Sequence, residues 1–231
     1  MKKYDKYFIE KNIDRFYKIG YTFFLDTKEL SVVKKALNHN KTEYQIYEPF
    51  IDSDYKIIFS KQPEISCLKI ITDKELTHQS IMGSLYNFNI NENYIGDIII
   101  NNGYYFIILN EIKDYILKNF NTVGNNKIKL KESIIPIKER LYETLELIVS
   151  STRIDTIVSR ITNQNRKEVD NIITRKEVIL NNEILTNKSY NLKENDIFSI
   201  KRYGKYKYIK IIKTTKKDNP IIEVKKYIWY N

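Results

Sequence analysis

Apolar positions along the chain keep a helical period in some stretches and run as short strands in others. Phe8, Ile9, Ile13, Phe16 and Tyr17 recur at helical spacing, and Asp26 is placed to cap a second helix with Leu30, Val33 and Leu37 on one side. Strand-length runs follow at 43–47, 55–60 and 66–71, which together read as a small N-terminal α+β domain over 1–73. The pattern then predicts a helix over 76–88 and two apolar runs, Ile98-Ile99-Ile100 and 104–109, flanking Asn101-Asn102-Gly103. Asn-Gly between apolar runs is a strong hairpin signal, because both residues tolerate positive φ. A helix over 110–120 and a strand over 127–131 complete an RRM-like α/β middle domain assigned to 74–147, and 141–149 reads as a strand or connector leading onward.

The third module, 148–231, carries the most information. Ile154, Ile157, Val158 and Ile161 form one buried helical stripe, and Arg153 and Arg160, seven residues apart, lie within about 20° of each other beside it. After the turn Thr162-Asn163-Gln164 a second helix is predicted from Asn165 to Arg175, with Val169, Ile172 and Ile173 inward. Asn165 is its expected N-cap, and Arg166 and Lys167 in its first turn would combine with free backbone N–H groups into an anion site. Short strands are predicted at 178–180, 183–185 and 197–201. Beyond them, Lys201-Arg202-Tyr203-Gly204-Lys205-Tyr206-Lys207-Tyr208 alternates cations with rings. On a strand, Lys205 and Lys207 would face one side and Tyr206 and Tyr208 the other, with the rings expected inside. The overall fold class is therefore α+β and multi-domain.

Charge sharpens this picture. The formal net charge is +10, yet residues 1–147 hold 21 Lys and Arg against 20 Asp and Glu, whereas 148–213 hold 14 against 7. Such concentration in one module points to a polyanion as partner and to a candidate interface made of Arg153, Arg160, Asn165, Arg166, Lys167, Arg175, Lys176, Lys201, Arg202, Lys205 and Lys207. The competing reading is a solvated basic surface without a ligand.

Other chemistries find little support. No apolar run reaches the length needed to span a bilayer, the start Met1-Lys2-Lys3-Tyr4-Asp5 lacks a signal-peptide core, and the lone Cys67 suits a reducing compartment. A cytoplasmic location away from membranes is expected. His39, His78 and Cys67 lack metal-ligand spacing, Ser150-Ser151 reads as a helix-entry cap rather than a nucleophile, and Asp155 is expected to orient Arg153. Neither metal nor cofactor is expected. With only six glycines and no phosphate-binding loop, nucleotide-dependent enzymes are disfavoured. Two alternatives remain open: an RNA-modifying enzyme of the pseudouridine-synthase kind, and a scaffold binding acidic proteins.

The third module resembles the S-four RNA-binding domain. Arg153-Ile154-Asp155, Asn165-Arg166-Lys167, Val178 with Asn181 and Asn182, and Asn195-Asp196 stand in its motif positions, Asn165 replacing the usual Ser and Asn195 the usual Gly. Nearly the whole chain is similar to the bacterial YlmH family, through Thr22-Phe23-Phe24-Leu25-Asp26, Leu76-Thr77-His78-Gln79, Ile81-Met82-Gly83, Ile95-Gly96-Asp97-Ile98, Ser150-Ser151-Thr152-Arg153, Arg202-Tyr203-Gly204-Lys205-Tyr206 and Thr215-Lys216-Lys217. Gln79 and Asn93 stand where that family commonly has Arg. The resemblance implies a non-catalytic protein, monomeric when free, that binds rRNA or tRNA. It further implies docking on the ribosome, at the large subunit, in quality control of stalled peptidyl-tRNA.

Overall fold

A computed structural model describes residues 6–88, 90–181 and 183–228. The chain divides into two compact units, one up to residue 140 and one over Leu141–Ile228. The charged start of the chain and Asn182 lie outside the described residues.

The first unit opens with α1 (Lys6–Ile19) and α2 (Thr27–His39). Asp26 caps α2 as its sequence predicts: its carboxylate accepts from the backbone N–H groups of Lys28 and Glu29, and Glu29 accepts in return from Asp26 N–H. The helices pack through Phe16, Val33 and Leu37 on Leu25 and Ile58, the latter in a small hairpin of β1 (Gln45–Tyr47) and β2 (Ile57–Phe59). Thr22 is fully buried, where its hydroxyl donates to Phe23 O and accepts from Ile58 N–H.

There follow β3 (Ile65–Ile71), α3 (His78–Tyr86), β4 (Ile95–Ile100), β5 (Tyr104–Leu109), α4 (Lys113–Asn119), the short pair β6 (Thr122–Val123) and β7 (Asn126–Lys127), and β8 (Lys129–Ser133). β3, β4, β5 and β8 form an antiparallel sheet in the order β4-β5-β3-β8. This is the β-α-β-β-α-β succession expected of an RRM-like module. The boundary anticipated at residue 73 falls after β3, which is an inner strand of this sheet. The short apolar run at 66–71 marked a strand correctly, but nothing local to it specified its partners, β5 and β8. Asn102 and Gly103 take φ of +48° and +143° in the β4–β5 turn, as the hairpin signal requires.

Both faces of the sheet are covered. Phe106 and Ile108 of β5, with Leu68 and Ile70 of β3, pack under Ile81 and Leu85 of α3 and Ile116 of α4. On the opposite face Tyr105, Ile107, Leu109 and Cys67 pack against Phe23, Phe24, Phe50 and Ile57 from the N-terminal segment. Two-sided burial explains the unbroken apolar run of β5, which carries no alternation.

The Gly-Asp pair of β4 holds this unit together. A Cβ on Gly96 would lie 2.9 Å from the Phe24 ring, so only glycine fits without a shift. Asp97 is buried and receives the Arg140 guanidinium at 2.6 Å together with the N–H groups of Asp54 and Tyr55. Burial and the neighbouring Asp54 carboxylate push its carboxyl up to about 6, against the opposing pull of Arg140 and the two N–H donors.

The second unit comprises β9 (Tyr142–Ile148), α5 (Ile154–Thr162), α6 (Arg166–Thr174), β10 (Val178–Leu180), β11 (Glu183–Ile184), β12 (Ile197–Ile200), β13 (Gly204–Thr214) and β14 (Pro220–Tyr227). Its strands form one six-stranded sheet in the order β11-β10-β12-β13-β14-β9. The run at 141–149, read as a strand or connector to the third module, supplies its edge strand β9, paired along its length with β14. Ile154, Ile157, Val158, Val169, Ile172 and Ile173 of the two helices lie over one sheet face, whose inward residues include Phe198, Tyr206, Tyr208, Ile222 and Val224. Among the described residues no helix is long and apolar enough to cross a membrane.

Candidate nucleic-acid interface

The start of α5 and the start of α6 share an open cavity of about 340 Å³ lined by Ser150, Ser151, Arg153, Asp155, Thr156, Ser159, Arg166 and Val169. Arg153 occupies the N-cap position of α5. Its guanidinium donates from Nε and Nη2 to the two carboxylate oxygens of Asp155, at 3.1 and 2.6 Å. This bidentate fork fixes Arg153 as the sequence led one to expect. Burial opposes ionisation of Asp155. The Arg153 hydrogen bonds, the Thr156 N–H and the charges of Arg153 and Arg166 outweigh it and hold the carboxyl below its usual range. Ser151 is not a helix cap: its hydroxyl meets that of Thr156 at 3.2 Å in the cavity wall.

Asn165 caps α6, its side-chain oxygen accepting from Glu168 N–H at 3.0 Å. Arg166 follows at the first helical position and makes no ion pair among the described residues. The Ser159 hydroxyl is committed to Gln164 O at 2.6 Å, and the Asp155 carboxylate is held by Arg153, so the cavity offers the guanidinium edges of Arg153 and Arg166 with the hydroxyls of Ser150, Ser151 and Thr156, groups suited to phosphate oxygens.

The remaining predicted residues are not gathered there. Arg160 is exposed in the last turn of α5, and Lys167 is exposed one residue after Arg166; neither lines the cavity. Arg175 sits at the opposite end of α6, bonded to Glu168 at 3.0 Å and to Glu177 at 3.4 Å, and Lys201 approaches Glu177 at 3.9 Å. Lys176, at φ +60°, and Arg202, at φ +72°, occupy turns at that same end. Lys205 and Lys207 lie on β13, pointing away from the helices, while Tyr206 and Tyr208 fill the core. The single convergent cluster implied by the sequence is thus corrected: Arg153 and Arg166 share the cavity, Arg175, Lys176, Lys201 and Arg202 lie at the far end of α6, Lys205 and Lys207 lie on β13, and Arg160 and Lys167 stand outside all three groups. Helical angle had aligned Arg153 with Arg160 but ignored the axial rise between them, about 10 Å over seven residues, and sequence gave no sign that Glu177 would neutralise Arg175.

Two motif positions prove architectural. Asn195 adopts φ +69°, the conformation that favours the usual glycine. Asp196 accepts from Asn181 Nδ2 at 2.8 Å and from Lys193 N–H at 2.8 Å, while Asn181 accepts from Ile197 N–H, so the motif staples the β10 and β12 ends together. In the first unit, the face on which an RRM stacks bases is the one buried beneath Phe23 and Phe24.

Comparison with known proteins agrees with this architecture. Residues 64–136 match the family model described as "Putative RNA-binding domain in YlmH", and residues 152–198 match that of the S4 domain. A Bacillus subtilis (strain 168) protein named "Ribosome-associated protein quality control protein P2" is 26% identical over 147 residues, which is 61% of this chain and 56% of that protein. The chain thus spans little more than half the length of this curated relative. A solved structure titled "Cell division protein ylmH from Streptococcus pneumoniae" is similar at 17% identity with a TM-score of 0.45, covering 58% of this chain and 93% of that one. The chain thus carries, in this order, the RNA-binding domain type described for YlmH and an S4 domain, and it is similar to the YlmH family of RNA-binding S-four proteins.

Proposed function

We propose that this protein is a non-catalytic, cytoplasmic RNA-binding factor, monomeric when free, that docks on rRNA or tRNA through its second unit. Its place of action is the large ribosomal subunit, in quality control of stalled peptidyl-tRNA. The observation that carries the RNA reading is the cavity between the starts of α5 and α6, where Arg153 and Arg166 stand among the hydroxyls of Ser150, Ser151 and Thr156. Phosphate contact through such a site supports recognition of backbone and shape more than of base edges. The name of the Bacillus subtilis relative supports the ribosomal assignment.

Crosslinking followed by sequencing of the bound RNA tests this. Wild-type protein is expected to recover rRNA or tRNA fragments, and Arg166→Ala/Lys167→Ala to lose them while its circular dichroism is unchanged. Undiminished recovery by the double variant would move the interface elsewhere. Incubation of rRNA and tRNA with substoichiometric protein tests the non-catalytic reading, which multiple-turnover formation of a modified nucleotide would overturn.

A further inference from the structure

A strand in strict alternation would send Lys205 and Lys207 of β13 outward but turn Lys210 toward the core face. The observed pairing differs. Tyr208 opposes Val224 and Lys210 opposes Glu223, so Ile209 is an extra residue; Ile211 opposes Ile222 and Lys213 opposes Ile221, so Ile212 is another. Each bulge shifts the phase of β13 by one residue. Directly opposed residues of an antiparallel pair share a face. Ile222 and Val224 are core residues, which places Ile221, Glu223 and Lys225 outward and their partners Lys213, Lys210 and Lys207 with them. Lys205, opposite Ser199, joins the same face.

The two bulges thus align four lysines of one strand into a single row over about 25 Å, at the spacing Lys-x-Lys-x-x-Lys-x-x-Lys. Lys225 stands directly opposite Lys207 on that face, its ammonium 5.2 Å from the centre of the Tyr142 ring. Lys210 and Lys213 are exposed and make no ion pair among the described residues. From 201 to 228 the chain holds ten Lys and Arg against two acidic residues. Bulges are devices that re-aim side chains, and here both act to keep cations on one side. That side is the sheet face away from α5 and α6, so the row is separate from the Arg153–Arg166 cavity. It also lies beyond residue 198, where the S4 domain match ends.

We propose that the lysine row of β13, with Lys225, is a second RNA-backbone surface, and that the second unit holds two RNA segments at once, one on its helical side and one on its open sheet face. This rests on the RNA-binding reading above and extends it from a docking module to a bridging one.

A bridging assay on the full chain separates the two. An RNA duplex of about 16 base pairs, comparable to the span of a double-stranded RNA module, is immobilised and loaded with protein, and a second duplex of the same length carrying a fluorophore is added. Wild-type protein is expected to retain the second duplex. Lys210→Ala/Lys213→Ala/Lys225→Ala should lower that retention about tenfold, as loss of three phosphate contacts implies, while still binding the first duplex through the helical side. Replacing the same lysines with arginine should preserve bridging, which excludes a merely structural effect. Wild-type retention by the alanine variant, or a wild-type protein that binds one duplex and never a second, would overturn the two-surface proposal alone. Failure of the wild type to bind the first duplex would instead overturn RNA binding itself.

Discussion

Arg166 and Arg175 stand at opposite ends of one nine-residue helix, and their contrast gives a sharp prediction. Arg166 lines the cavity and has no ion pair among the described residues, whereas Arg175 is bonded to Glu168 and Glu177. Replacing either with alanine removes one positive charge, so the net charge falls equally. Neither change should disturb the helix, since Arg and Ala have similar helix propensities. If Arg166 contacts one phosphate, Arg166→Ala should reduce the magnitude of the slope of log K against log salt by about 0.9. Between 50 and 200 mM salt the variant should then lose about 3.5-fold less affinity than wild type, a factor of four raised to that slope difference. Arg175→Ala should leave the slope where it is. The assay is fluorescence anisotropy across a salt series with the RNA recovered by crosslinking, and unchanged melting temperatures confirm folding. Equal slopes for Arg166→Ala and wild type, or an equal change for Arg175→Ala, would refute the grouping of cations drawn from the structure.

Further outcomes follow from the two cores. Asp97→Ala leaves the nearly buried Arg140 guanidinium without its closest carboxylate and should cost about 3–5 kcal/mol in urea unfolding of the first unit. Gly96→Ala forces the Phe24 ring aside and should cost about 1–3 kcal/mol in the same transition. Asp155 has a lowered folded value, so the unfolded chain takes up its proton first as pH falls. Its stabilising effect is complete above the ordinary carboxylate value of about 3.9 and is lost as pH drops through the lowered one. Acid unfolding of the second unit should accordingly be less steep in Asp155→Asn; an unchanged acid limb would contradict the role of the Arg153 fork. Burial pushes the Cys67 thiol up to about 11, so native protein at pH 8 should resist a thiol reagent that labels it at once in denaturant.

Much of the fold was legible because its signals are local. The stripe Ile154, Ile157, Val158 and Ile161 marked α5, Asp26 and Asn165 marked the starts of α2 and α6, and Asn102-Gly103 marked a hairpin. The unbroken run Tyr104 to Leu109 carried a further signal, two-sided burial, which means that the RRM-like sheet has no open face for stacking bases. Pairing between distant segments was not legible. Nothing in 66–71 told that β3 belongs with β5 and β8, and no helical angle told that Arg160 would stand apart from the cavity while Arg175 met two glutamates. The lysines at 210 and 213 escaped notice because strict alternation does not place 207, 210 and 213 on one face; only the two bulges do.

Ultraviolet crosslinking of the full chain to its RNA, followed by mass spectrometry of the adducted peptides, tests the central claim most directly. RNA adducts should fall on peptides from 150–167, at the cavity formed by the starts of α5 and α6, and be absent from β5. Adducts confined to the first unit, with none on 150–167, would contradict the account.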